Sequence, residues 1–157
     1  MLERFFKTNQ EKTTLLIRIM VGAVFLSEGI QKYLYPEIRG AGRFESIGLP
    51  MHEFLGYFVG GFEIICGVLI LIGLATRFSS IPLIAIMLVA ISSTKIPVLF
   101  EEGFWYMAHA ARTDFSMLIG SIFLLIKGGG YWSMDLKYWG KENGKSSDMS
   151  ASKSSAS

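Results

Sequence analysis

Six charged residues lie at the middle, or toward one common side, of long apolar stretches in this sequence: Glu28, Lys32, Glu63, Lys95, Arg112 and Asp114. Carboxylates beside ammonium and guanidinium groups in a medium of low dielectric can pass protons and can stabilise a reduced, negatively charged ligand. Glu28, Lys32, Glu63, Arg112 and Asp114 are therefore the candidate catalytic residues. Glu28 and Lys32 are spaced i, i+4 and can touch on one helix. Glu63 sits in the middle of its stretch with no interface to reach, so it calls for a cation from another segment; Lys32 and Arg112 are the candidates. Plainer roles compete with these. Lys32 and Lys95 can snorkel to headgroups, Asp114 can be a first-turn anion favoured by the helix dipole, and Arg18 is expected to snorkel toward the nearer interface.

Such charges need a scaffold that holds them in an apolar medium. Of the 157 residues, 51% are hydrophobic and 18% charged, against about 25% charged in an ordinary soluble domain. The apolar residues fall in blocks rather than amphipathic stripes. Four blocks, 13–35, 54–74, 78–100 and 109–127, are long enough for a hydrocarbon core that takes about 20 helical residues to cross. Pro36 and the Gly40–Gly42 stretch close the first, Ala75-Thr76-Arg77 turns between the second and third, and Gly128-Gly129-Gly130 stops the fourth. The first block carries Arg18, Glu28 and Lys32 and is too long for a cleaved signal peptide. The sequence predicts an all-α integral membrane four-helix bundle over 13–135, after a short segment 1–12. Residues 136–157, Lys- and Ser-rich from Lys141 onward, are expected to be disordered.

Four spans put both termini on one side. Lys and Arg concentrate in the N-terminal segment, at Arg77 and in the tail, whereas the opposite loops offer mainly Arg39 and Arg43, with acidic Glu37, Glu45, Glu53, Glu101 and Glu102. The positive-inside rule makes both termini cytoplasmic, in a multi-pass protein of the inner cell membrane. The six charges then gather at the middle and outer levels, three acidic and three basic, so the group can neutralise itself. A charge at the centre of a span costs roughly 2.5–3.5 kcal/mol, so these should face the bundle interior and line a polar cleft.

Gly56, Gly60, Glu63 and Gly67 share one face of the second block, and Arg18, Gly22, Phe25, Gly29 and Lys32 one face of the first. Small-residue faces of this kind let membrane helices approach closely, so the two are expected to pack together. Gly60, Gly67 and Lys95 are the candidates for lining a cofactor cleft. Several function classes drop out. Cys66 is a single thiol, unable to form an internal disulfide or a CxxC pair. His52 and His109 read as polar anchors near the span ends, and no metal site is expected. No Walker loop, dinucleotide fingerprint or HExxH motif occurs. A net charge of +2 without a basic stripe excludes nucleic acid as a partner.

The segments RIMVGAVFLSEGIQK, FESIGLP, GGFEIICGVLILIGLATR, ARTDFSMLIGSIFLL and GGGYWSMD, in that order over most of residues 13–135, resemble the DoxX family of small four-helix membrane proteins. Matched position by position, the resemblance implies a polar signature of Arg18, Gly29, Lys32, Gly48, Pro50, Glu63, Gly67, Thr76, Arg77, Arg112, Asp114 and Asp135. It also implies a link to quinone-dependent membrane oxidoreduction, since the family takes its name from subunits tied to a terminal oxidase and a thiosulfate:quinone oxidoreductase. On this expectation the chain is a quinone-linked oxidoreductase subunit with a quinone in its polar cleft. Because no redox centre is evident, it would work with a partner redox subunit. Fold does not fix function, and two alternatives stay open: a non-enzymatic membrane scaffold or assembly partner, and, further behind, a small-solute or proton pathway. Four helices leave little interior of their own, which also leaves room for a homo-oligomer.

Overall fold

A computed structural model describes residues 12–48 and 50–137. The expectations for segment 1–12 and tail 136–157 fall almost wholly outside these residues. The described residues form four long helices and one short one: α1 (Thr14–Leu34), α2 (Ala41–Ser46), α3 (His52–Ile72), α4 (Thr76–Glu101) and α5 (Phe104–Lys127). At about 1.5 Å per residue, the 21 residues of α1 or α3 cover the apolar thickness of a bilayer. α1, α3, α4 and α5 are all apolar enough to cross one. The chain is an all-helical membrane bundle with no strand among the described residues.

Each helix stops for a local reason. α1 ends before Pro36, whose ring disfavours helical backbone at Tyr35, found at φ −129°, ψ 62°. α3 ends at Gly73, which takes φ +71°. There the Leu74 amide bonds the Leu69 carbonyl and the Gly73 amide that of Ile70, a Schellman cap. α5 runs from Phe104 to Lys127 between Gly103 and Gly128, so it starts five residues before the expected span. Phe104, Trp105 and Tyr106 read as an interfacial belt, and that belt is itself helical. The six-residue α2, unforeseen in the sequence, lies against the start of α3. A Cβ on Gly56 would stand 2.7 Å from the Ala41 amide nitrogen.

The glycine faces of α1 and α3 meet as their spacing implies. A Cβ on Gly22 would fall 2.9 Å from the Gly67 carbonyl oxygen, and one on Gly29 would fall 2.8 Å from that of Gly60. α4 and α5 form the second closely packed pair. The pairs join through a core of Val21, Phe25, Cys66, Ile70, Leu83, Met87, Met117, Leu118 and Leu124. Most remaining large apolar side chains, such as Leu16, Phe58, Ile65 and Phe100, are exposed, as suits helices whose outer surface meets lipid. Every buried residue of α4 lies between Thr76 and Met87. The bundle is therefore tightest at the end where α1 starts, the base, and α4 buries nothing fully toward the opposite end, the crown.

At the base, the chain after α5 folds back under the helices. Asp135 accepts hydrogen bonds from the amides of Ala75 (2.6 Å) and Thr76 (3.0 Å) at the start of α4. Its own amide donates to the Gly73 carbonyl at 3.0 Å.

Candidate functional site

One helical turn beyond the apolar core, on the crown side, the interior lines of the four long helices become polar. Val21, Phe25, Glu28 and Lys32 follow one line of α1, spaced i, i+4, i+7 and i+11. Val21 and Phe25 are buried in the core, which aims Glu28 and Lys32 along the same interior. On α3, Ile70 and Cys66 lead to Glu63; on α5, Leu118 and Met117 lead to Asp114. Lys95 lies two turns beyond Met87 on α4.

Two ion pairs occupy this layer. The Lys32 ammonium donates to Glu63 Oε2 at 2.6 Å, with the two side chains 11% and 2% exposed. The Lys95 ammonium lies 3.1 Å from Asp114 Oδ2, with side chains 14% and 27% exposed. Each pair ties together the two helices of one closely packed pair. Neither Lys32 nor Lys95 is the free, snorkelled lysine of the plainer expectation. Glu63 takes Lys32, not Arg112, as its cation, and the Glu28–Lys32 contact allowed by i, i+4 spacing gives way to this cross-helix pair. Glu28 is half-buried and makes no hydrogen bond or ion pair among the described residues.

Arg112 stands apart. It is exposed and donates to His109 Nδ1 at 2.9 Å, one turn earlier on its own helix. Gly60 and Gly67 do not line open space either. A Cβ on Gly67 would meet the Leu26 amide nitrogen at 2.8 Å, and one on Gly60 would meet the Tyr33 ring at 3.0 Å. Both set the separation of α1 and α3. At the crown surface an open depression of about 570 Å³ is lined by Pro36, Glu37, Glu45, His52, Glu53 and Tyr57, among others. It draws on the α1–α2 link, α2 and the start of α3, apart from the ion pairs.

Arg18 departs most from expectation. Instead of snorkelling to headgroups it is 1% exposed and spends its guanidinium on backbone carbonyls. Nε donates to Ile70 (2.9 Å), Nη2 to Leu71 (2.7 Å), and Nη1 to both Gly129 (2.9 Å) and Trp132 (2.7 Å). The carbonyls at the C-terminal end of α3 lack intrahelical donors, and Arg18 supplies them while pinning the chain beyond α5. It holds the base together and takes no part in the polar layer.

The DoxX family profile matches residues 13–101. A membrane protein of Mycobacterium tuberculosis, itself named as uncharacterized, is 53% identical over 129 residues, which is 78% of this chain and 79% of that one. The chain belongs to the DoxX family. A second relative of this DoxX protein, from Bacillus subtilis, is named "Putative oxidoreductase CatD" and is 33% identical over 133 residues, 83% of this chain and 91% of that one. No solved structure matches significantly. The family match takes in Lys32, Glu63 and Lys95 but stops at residue 101, before Asp114 and Arg112. The DoxX profile thus spans three of the four long helices, while the polar layer draws on all four.

Proposed function

We propose that this DoxX protein serves quinone-linked membrane oxidoreduction, with the polar layer as the place where a quinone headgroup docks. The observation that carries this reading is the Lys32–Glu63 pair, 2.6 Å apart and nearly fully buried among apolar helices, with the Lys95–Asp114 pair on the facing helices. A ring carbonyl that gains electrons develops negative charge, and an ammonium in low dielectric stabilises that charge strongly. Lys32 and Lys95 offer such donors, and Glu63, Glu28 and Asp114 offer proton-accepting oxygens beside them. The isoprenoid tail of a membrane quinone matches the apolar, lipid-facing helices around the layer. The name of the Bacillus subtilis relative supports a redox role. Electrons would come from a partner subunit in the inner membrane.

The test is a titration of the purified protein with a short-chain benzoquinone and a short-chain naphthoquinone, following quenching of tryptophan fluorescence. Wild type and Glu63→Gln are compared, with circular dichroism confirming that both are folded. Saturable quenching in the wild type, weakened in the folded variant, is the expected result. Absence of saturable quenching in folded wild-type protein overturns the quinone site and leaves the membrane scaffold as the reading to pursue.

A further inference from the structure

The charge balance of the polar layer does not close once the side chains are placed. Six ionisable groups in the sequence would neutralise one another, but Arg112 leaves the layer for the surface and bonds His109. Five remain: Glu28, Lys32, Glu63, Lys95 and Asp114. Lys95 and Asp114 satisfy each other. On the other side of the interior, Lys32 pairs with Glu63 and leaves Glu28 without a cation. Fully ionised, the group would hold one net negative charge inside an apolar bundle, and an uncompensated buried charge of this kind is relieved by neutralisation.

We propose that Glu28, Lys32 and Glu63 form an intramembrane proton-binding site, in which one exchangeable proton is held between two carboxyls competing for one ammonium. Lys32 is bonded to Glu63, and Glu28, one turn before Lys32 on the same line of α1 and without a hydrogen-bond partner among the described residues, brings a second carboxylate toward that ammonium, where like charges repel. The proton removes that repulsion and brings the layer to neutrality. The remaining titratable groups facing this end of the interior are Lys95 on α4 and Asp114 on α5, already paired; His109 and Arg112 on α5 point to the surface. Among the described residues, no element packed against the site supplies a second cation. Loss of the proton leaves a negative charge in the layer, so occupancy of the site is coupled to any other charge that enters it. A developing anion would favour uptake of the proton, and a cation would favour its release.

The site needs no quinone to hold its proton, so it is tested without one. Infrared spectra of the full chain in lipid nanodiscs report a protonated carboxyl through its carbonyl stretch, which shifts in heavy water when the proton is exchangeable. Expected for the wild type at neutral pH is one such band that fades as pH rises. Glu28→Gln and Glu63→Gln should each abolish it, because the remaining carboxylate then has Lys32 to itself. Lys32→Met should roughly double it, and Arg112→Gln should leave it unchanged. Glu28 is only half-buried, so Glu28→Gln serves as the decisive variant even where Glu63→Gln does not fold. Absence of the band in folded wild type, or its persistence in folded Glu28→Gln, overturns the proposal. Failure of quinone titration with this band intact rejects the docking reading and leaves the proton site standing.

Discussion

Arg18 gives the sharpest expectation about what holds the bundle together. Arg18→Met removes a guanidinium that is 1% exposed and donates to four carbonyls belonging to α3 and to the chain after α5. The Ile70 carbonyl keeps a second donor in the Gly73 amide at 3.1 Å. The carbonyls of Leu71, Gly129 and Trp132 lose their Arg18 donors. A buried acceptor left without a donor costs about 1–3 kcal/mol. Two of these bonds are only part-buried, so water recovers some of the loss, and the total comes to roughly 3–5 kcal/mol. That is a large share of a folding free energy of about 5–15 kcal/mol. Arg18→Lys keeps the charge but replaces the planar fork with a point donor that cannot span four acceptors, so about half the loss should remain. The assay is unfolding in mixed micelles followed by far-ultraviolet circular dichroism, joined to hydrogen exchange over residues 128–136. Both variants should unfold earlier than wild type, with faster exchange in that segment. An Arg18→Lys protein with the wild-type midpoint and exchange would refute the reasoning, because a snorkelling arginine tolerates lysine.

Two further substitutions probe the contact between α1 and α3. Gly29→Ala would place a Cβ 2.8 Å from the Gly60 carbonyl oxygen and 2.9 Å from the Ile64 amide nitrogen. Backbone cannot yield as a side chain does, so it should cost about 1–3 kcal/mol. Gly61→Ala meets only the Tyr33 hydroxyl, at 3.2 Å, and should be well tolerated. Equal losses in the two proteins would contradict the packing described. For the ion pair, Lys32→Met and Glu63→Leu should each destabilise, and the double variant should regain stability, giving a coupling of about 2–3 kcal/mol in a double-mutant cycle. The more exposed Lys95–Asp114 pair should couple by about 1 kcal/mol or less. Additive behaviour at Lys32 and Glu63 would mean that the pair does not act as one.

The four spans were legible because an uninterrupted apolar block of about 20 residues has few other destinations. The glycine face of α3 was legible for a related reason: spacing of i, i+4, i+7 and i+11 survives any tertiary arrangement. α2 was not, since six residues, AGRFES, are too few for a helical period to emerge. The start of α5 was obscured because hydropathy measures burial in lipid, whereas the helix begins in the aromatic turn after Gly103. The split between Arg112 and Asp114 did leave a signal. Two residues apart on a helix point about 200° away from each other, so Arg112 and Asp114 could not both face the interior. Which of them does so follows from the buried residues Ala111, Met117, Leu118 and Ser121, spaced to share a side with Asp114. Which cation Glu63 takes depends on the rotation of α1 against α3, a property of two helices together. The partners of Arg18 were out of reach for the same reason, since two of them lie more than 110 residues away.

The two ends of the bundle handle their charges differently, and the contrast separates structure from chemistry. At the base, Arg18 meets four carbonyl acceptors and Asp135 meets two backbone amides. A charge whose bonding capacity is consumed by backbone has little left for a ligand, and any ligand would have to undo the fold to reach it. In the crown-side layer the bonds run between side chains, and Glu28 has no hydrogen-bond partner among the described residues. Side-chain pairs can exchange partners with only rotamer changes, on timescales far shorter than helix rearrangement. α4 buries no residue fully beyond Met87, so the Lys95–Asp114 pair can move without disturbing the core. Chemistry that cycles a charge needs groups able to change protonation or partner while the frame stays fixed. Among the described residues, the polar layer above the core meets that requirement, with the arginine-locked base as the frame it works against.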